Sequence, residues 1–460
     1  MSRPRSRRIF KTFLILLAAA VVWAAWYGAK RGLTRSWRER VFAEFRAHGI
    51  EITFRKLTAD PFHGFVAREV VIYDADDHKR ALAEIDQLIL NVDWSRLIKK
   101  RPFVSALELR NARLSLPFDR LNAESKRLEV NNLHARMLLP EKQIRLLHAE
   151  ARTLGLKLRA EGWISNPDSG SDVKDRSSSN WFSAAQKYIQ ELQLIQWRGE
   201  APVVRIQFSG DLNAPDSLSA TLHIDADEFT VRDYAMESLT LSAAWRDGAL
   251  DIQEFLLEDK SGHLNAVGRL VPNGSMEGRI ESTLDPIKLA AVFGHRLPEN
   301  TLRFEHRPTL RAHIEGAGTQ NQYVRITGST ESGVFFWKEE RFESFKAIGS
   351  WDGERWSVRE LELTHRVGKL KADVLSGPNT FHAKLSSNLP LPLLSLAFPE
   401  QSADSPIYWL QSKEPIHVQL EVQGTTPELN ACTAWGKVQT KQGTFRGIEF
   451  EKFATPFGLR

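Results

Sequence analysis

Along most of the chain apolar and polar side chains alternate with period two. Val204, Ile206 and Phe208 point one way, and Arg205, Gln207 and Ser209 the other. Ile416, Val418, Leu420 and Val422 alternate in the same manner with His417, Gln419, Glu421 and Gln423. Leu222, Ile224 and Ala226 share one face, as do Leu239, Leu241, Ala243 and Trp245, and Phe381, Ala383 and Leu385. This period marks strands with one buried face. Asp247-Gly248, Asn273-Gly274 and Asp352-Gly353 supply tight turns that reach positive φ, so the strands read as sequential hairpins of an antiparallel meander. Helical signals are few. Asn180 caps a candidate helix running to Ile195, and Asp285-Pro286 opens a short one to Phe293. The stretch from Leu389 to Phe398 carries two prolines against a helix. Trp37 to Ala47 reads as a short helix, and the Ser/Asp-rich run from Asp168 to Ser179 as a loop.

The strands recur. Pro202-Val-Val-Arg-Ile-Gln-Phe-Ser-Gly210, Pro308-Thr-Leu-Arg-Ala-His-Ile-Glu-Gly316 and Pro415-Ile-His-Val-Gln-Leu-Glu-Val-Gln-Gly424 each start on proline and end on glycine, with the prolines 106 and 107 residues apart. Glu237-Ser238-Leu239 leads to Trp245, and Glu343-Ser344-Phe345 to Trp351. Gly262, Leu264 and Ala266 match Gly368, Leu370 and Ala372, and the stretch 276–284 matches 381–389. Ordered landmarks at one period define a repeat of about 106 residues, longer than the ~20–50 residues of common solenoids, so each copy holds several strands. The expected organisation is 1–46 as tail, anchor and juxtamembrane segment, 47–127 as an N-terminal β region and 128–201 as a partial copy. Full copies follow at 202–307 and 308–414, with a partial one at 415–460.

The N-terminus is different. Thr12 to Ala29 holds no charged residue and ends in Trp23, Trp26 and Tyr27 at the position of an interfacial aromatic belt. This predicts one transmembrane helix with the N-terminus inside. The run is longer than a signal peptide's apolar region, and Ser6-Arg7-Arg8-Ile9-Phe10-Lys11 only partly matches a twin-arginine signal. The net charge of +5 misleads. Residues 1–46 hold eleven Lys+Arg against two Asp+Glu, leaving 51 against 55 in the rest, which disfavours a nucleic-acid-binding body. A lone cysteine, Cys432, excludes an internal disulfide and a thiolate metal cage.

The strands present a long apolar face, and the sequence supplies little helix to cover it. Two arrangements satisfy this. Two sheets can pack face to face and need no ligand. Alternatively one elongated, curved antiparallel sheet forms a groove whose occupants are acyl chains, each buried methylene being worth about 0.8 kcal/mol. The candidate lipid-contacting residues are Val204, Ile206, Phe208, Leu222, Ile224, Leu239, Leu241, Leu310, Ile314, Val418 and Leu420.

Three features resemble the AsmA-like envelope proteins, relatives of TamB and YhdP. The first is the anchor leading into Gly49-Ile-Glu-Ile-Thr-Phe54 and Phe65-Val-Ala-Arg-Glu-Val-Val-Ile-Tyr73. The second is Ile85-Asp-Gln-Leu-Ile-Leu-Asn-Val-Asp93 with Leu97, followed by the strand from Val104 to Leu116. The third is the β-repeat body. The resemblance implies a β-groove in the envelope of a two-membrane bacterium, anchored once in the inner membrane with its body in the periplasm. It implies a part in phospholipid transport or outer-membrane biogenesis, alone or with an envelope protein partner. The chain is shorter than the largest members, which points to a partial bridge, a shuttle or a regulator.

Catalytic motifs are missing from the sequence. It holds no HExxH, no Gly-x-Ser-x-Gly and no Walker loop, so the expectation is a non-enzymatic protein without cofactor or metal. Asp74, Asp76, Asp77 and His78 read as a polar turn, His306 and His313 as surface residues, and Cys432 as a buried thiol. The recurring Trp245 and Trp351 read as packing residues rather than a glycan platform. A structural protein with a closed β core and protein partners, and an exported glycan-acting enzyme, are the competing readings.

Overall fold

A computed structural model of the chain describes residues 51–60, 64–73, 81–93, 104–117, 127–166, 194–232, 234–292, 302–317, 323–394, 410–412, 414–426 and 432–459. The anchor at 12–29, the helix at 37–47, the acidic turn at 74–78, the loop at 168–179, almost all of the helix at 180–195 and the positions beyond 394 in the second proline-containing stretch lie outside the described residues. No helix among the described residues is long and apolar enough to cross a membrane. The fold is mainly β. The chain divides into two compact units, Met1–Ala226 with Trp245–Asp247, and Asp227–Ala244 with Gly248–Arg460.

The first unit holds β1 (Glu51–Asp60), β2 (Gly64–Tyr73), β3 (Ala81–Val92), β4 (Val104–Pro117), β5 (Arg127–Leu138), β6 (Gln143–Thr153), β7 (Leu156–Ser165), β8 (Ile195–Trp197), β9 (Val203–Asp211) and most of β10 (Ala214–Val231). From β1 to β7 every strand pairs antiparallel with the next, as the hairpin signals predict. The meander then breaks, for β7 and β9 run parallel, with Leu158 beside Val204 and Ala160 beside Ile206. A parallel neighbour requires the chain to return to its starting end, and the long connection from Ser165 to Val203 allows this. Antiparallel pairing resumes between β9 and β10.

The strands that follow are β11 (Tyr234–Arg246), β12 (Ala249–Asp259), β13 (Gly262–Leu270), β14 (Met276–Ser282), β15 (Leu302–Phe304), β16 (Thr309–Ala317), β17 (Tyr323–Ser332), β18 (Phe335–Trp337), β19 (Glu340–Phe342), β20 (Ser344–Trp351), β21 (Trp356–His365), β22 (Gly368–Gly377), β23 (Thr380–Ser387), β24 (Leu410–Ser412), β25 (His417–Gly424), β26 (Cys432–Phe445) and β27 (Ile448–Leu459). Helix α1 (Pro286–Val292) follows β14, and the single turn α2 (Leu391–Leu394) follows β23. From β12 to β27 the second unit is one open antiparallel ladder, with β15, β18 and β19 forming a small separate sheet.

The element order explains the 106-residue period. Pro202, Pro308 and Pro415 stand just before β9, β16 and β25. Six long strands follow the first two prolines (β9 to β14, and β16, β17 and β20 to β23), then a helix and a short strand lead to the next proline. Even the irregularities repeat. The register slips between Ile252 and Phe255 of β12 and between Val358 and Leu361 of β21. These bulges put two apolar residues of odd spacing on one face. The turn Asp247-Gly248 has φ of 51° and 72°, the double positive pair that a two-residue hairpin needs. Helix α1 begins as predicted, with the Asp285 side chain accepting from the Ile287 N–H at 3.0 Å.

Side chains at the proline-bearing ends of the strands make a core that recurs. Phe335, Phe342 and Leu389 are 3%, 1% and 1% exposed, and their counterparts Phe229, Met236 and Leu284 are equally buried. The Phe342 ring stacks on Phe335 at 5.1 Å and meets His365 edge-on at 5.4 Å. A polar pair closes this rim in each copy. The Tyr234 hydroxyl donates to Asp259 at 2.5 Å in one, and His365 contacts Glu340 at 3.0 Å in the other. Asp259 also accepts from the Ser261 N–H and hydroxyl and the Gly262 N–H at 2.7–2.8 Å, with Arg307 at 3.3 Å. Burial opposes its charge. The hydrogen bonds from Tyr234, Ser261 and Gly262 outweigh that and hold its pKa down at about 2. The Tyr234 hydroxyl is pushed up, first by burial and then by its bond to this carboxylate.

Candidate functional site

Register shows which side chains share a face, because directly paired residues of neighbouring strands project to the same side. In the first unit Val204, Ile206 and Phe208 lie opposite Ile224, Leu222 and Ala220. The row through Leu222 and Ile206 continues to Ala160, Ala149, Ala135, Leu109, Leu88, Ala67 and Leu57. It crosses nine strands without a polar side chain. Over β1 to β4 this face is a closed core, with Val70 fully buried and Leu57 at 1% exposure. Toward β9 and β10 it opens, and Ile206, Phe208, Leu222 and Ile224 are half-buried.

The second unit has a similar face. A row runs from Phe255 through Ala266, Ile280, Ala312, Gly328 and Gly349 to Val358. It goes on through Val374, Ala383, Val422 and Ala434 to Leu459. Twelve strands are crossed, again without a polar side chain. Ile314 stands opposite Ile326 and next in line to Trp351 and Trp356. Leu420 lies between Leu385 and Gly436. Leu310 and Val418 sit nearer the rim, where Ser282, Thr330 and Ser387 interrupt the apolar rows. Leu239 and Leu241 occupy the β11 positions that correspond, one period earlier, to Phe345 and Ala347 of the same face.

The central row is only half-buried: Phe255, Ile280, Val358, Val374 and Val422 all keep solvent contact. Side chains between two stacked sheets would lose it. The open face of the second unit is therefore unlike the closed core over β1 to β4. Small residues lie along its middle, and a Cβ on Gly328 would come within 2.8 Å of the Arg311 carbonyl oxygen.

Several single-residue expectations change. Trp245 and Trp351 are 42% and 40% exposed, so neither is a buried core residue. Trp351 pairs across the strands with Trp356, itself 41% exposed, beside the Asp352-Gly353 turn. Cys432 is partly exposed rather than buried, and its thiol points to the Thr426 carbonyl at 3.0 Å. His306 is exposed, and His313 lies 3.0 Å from Glu315. No group of three or more metal-ligating side chains forms among the described residues.

Two recesses among the described residues lie on the other, polar face. A recess of about 770 Å³ is walled by Lys346, Glu362, Lys371, Ser386, Gln419 and Lys437, which form one cross-strand row, and by Lys384, Glu421 and Trp435. A smaller recess of about 380 Å³ adjoins it. Sequence patterning pointed to the apolar face and missed these recesses, since alternation marks which positions are polar but not which of them meet across neighbouring strands.

No family model, no curated protein and no solved structure matches the chain.

Proposed function

We propose that the chain is a membrane-anchored, non-enzymatic envelope protein whose apolar β-face carries acyl chains, serving phospholipid transport between membranes or outer-membrane biogenesis. One observation carries the reading: the second unit keeps an uninterrupted apolar row across twelve strands that stays half-open to solvent. An apolar surface of that extent is costly to leave in water and marks a site of interaction. An acyl chain suits it, being uniform and needing no hydrogen bond. The rows through Ile206 and Leu222 in the first unit, and through Ile314 and Leu420 in the second, hold the contacting side chains. The apolar run at 12–29 is the inner-membrane anchor in this proposal, with the body on the periplasmic side.

A second reading has its own support. The fully buried cluster around Val70 shows that the same strand pattern also forms closed core, which suits a structural or assembly protein with protein partners. Mass spectrometry of lipid extracted from the purified full chain separates the two. Phospholipid that co-purifies with the parent and is lost in Ile314→Asp, with the variant still folded, is the expected result. A parent without lipid after gentle extraction overturns the acyl-chain reading.

A further inference from the structure

The smaller polar recess departs from the repeat that surrounds it. It is lined by Lys369, Lys371 and Lys437, with Ser386, Asn388, His417, Gln419 and Gln439 among the remaining walls, and contains no carboxylate. Lys371, Ser386, Gln419 and Lys437 form one row across β22, β23, β25 and β26, so the two lysines flank a neutral centre. In the preceding copy that row reads Asn265, Glu281, Arg311 and Ser329. There Glu281 and Arg311 form an ion pair at 3.5 Å, and the position matching Gln439 is Glu331. The same backbone thus tolerates a self-neutralised row. Folding of the repeat does not require three lysines at this spot.

Lys369 and Lys371 share one carboxylate, Glu362, at 2.8 and 3.4 Å, and it belongs to the neighbouring larger recess. Lys437 has no ion-pair partner among the described residues. The balance in the recess is cationic, and the hydroxyl of Ser386 and the amides of Gln419 and Gln439 add neutral donors. Ammonium groups with neutral donors suit an oxyanion with several acceptor oxygens, and lysine binds phosphate as a point charge.

We propose that this recess between β22 and β26 is a binding site for a phosphate group borne by a small ligand. Its volume of about 380 Å³ fits a compact phosphate ester rather than an extended polymer. Its polar row projects away from the apolar row, and Val418 alone of the acyl-contact candidates also lines it, so the proposal does not rest on the acyl-chain reading.

The test is isothermal titration of the full detergent-solubilised chain with sodium pyrophosphate, and separately with phosphatidylglycerol vesicles. Pyrophosphate should bind, and more weakly as salt rises. Lys437→Glu should weaken it at least tenfold. The double change S386E with Q419R installs the ion pair that the preceding copy already carries, and should weaken it similarly with an unchanged melting temperature. Absence of pyrophosphate binding, or equal binding by parent and double variant, overturns the proposal. Binding to vesicles alone also overturns it, in favour of a membrane surface.

Discussion

The strands β1 to β4 and the ladder from β12 to β27 start from the same binary pattern and end differently. In the first, Val70, Leu57, Ile85 and Leu88 are buried to 4% exposure or less. In the second, the corresponding apolar row stays half-open, and glycine and alanine occupy much of it. Leu57, Val70, Ile85 and Leu88 fill the first face, and Ala67, Ala83 and Ala112 are buried among them. In the second row Phe255, Ile280, Val358, Val374 and Val422 are large and still half-buried, with alanine and glycine between them. Period two therefore specifies which face is apolar, but not whether that face becomes core.

The comparison breaks most sharply at Val70. A charge there has no solvent and no partner, so Val70→Asp should cost about 4 kcal/mol or more and leave little folded first unit, read by circular dichroism and limited proteolysis. Next in size is the recurring rim of the second unit. Phe342→Ala removes a ring stacked on Phe335 and edge-on to His365, and should cost about 3–5 kcal/mol in the second unit's own urea transition. Spread of that loss to the first unit's transition would show that the two do not melt independently.

Asp259 gives a smaller, pH-dependent effect. Its folded pKa, near 2, lies below that of an unfolded aspartate, so its stabilisation is complete above about pH 4 and is lost as pH falls toward 2. Asp259→Asn should lower stability at neutral pH by about 1–2 kcal/mol, because the Tyr234, Ser261 and Gly262 donors keep a poorer acceptor. It should also flatten the acid limb between those pH values. An unchanged acid limb would mean that other carboxylates dominate it.

Much of this architecture was legible beforehand. Alternation located the long strands, Asp247-Gly248 located a hairpin, and Asp285-Pro286 located the helix at Pro286–Val292. The prolines at 202, 308 and 415 marked equivalent strand starts. The parallel pairing of β7 with β9 was not legible, because direction depends on how the chain returns between Ser165 and Val203 and not on side-chain pattern. The bulges at Ile252/Phe255 and Val358/Leu361 were hidden because they move residues to the face that strict alternation assigns to polar positions. The small sheet of β15, β18 and β19 rests on three-residue strands, too short to show a period. Of the candidate face, patterning gave Val204, Ile206, Ile314 and Leu420 their shared orientation within their own strands. It could not give the row between them, since register across strands follows turn geometry and bulges.

The exchange that changes shape least is the most discriminating. Valine and threonine have nearly the same shape, and the exchange replaces one methyl with a hydroxyl. At Val70, fully buried among Phe54, Ile85 and Ala112, that hydroxyl has little besides its own strand's backbone to bond, and Val70→Thr should cost roughly 1–3 kcal/mol. At Val422, half-buried between Ala383 and Ala434, water remains within reach, and Val422→Thr should cost less than about 0.5 kcal/mol. The volume of the side chain is conserved in both, so a difference between the two melting curves reports solvent access and little else. Equal losses would show that the face over β12 to β27 is as dry as the core over β1 to β4. The half-open row would then be core, and the acyl-chain proposal would lose the observation that supports it.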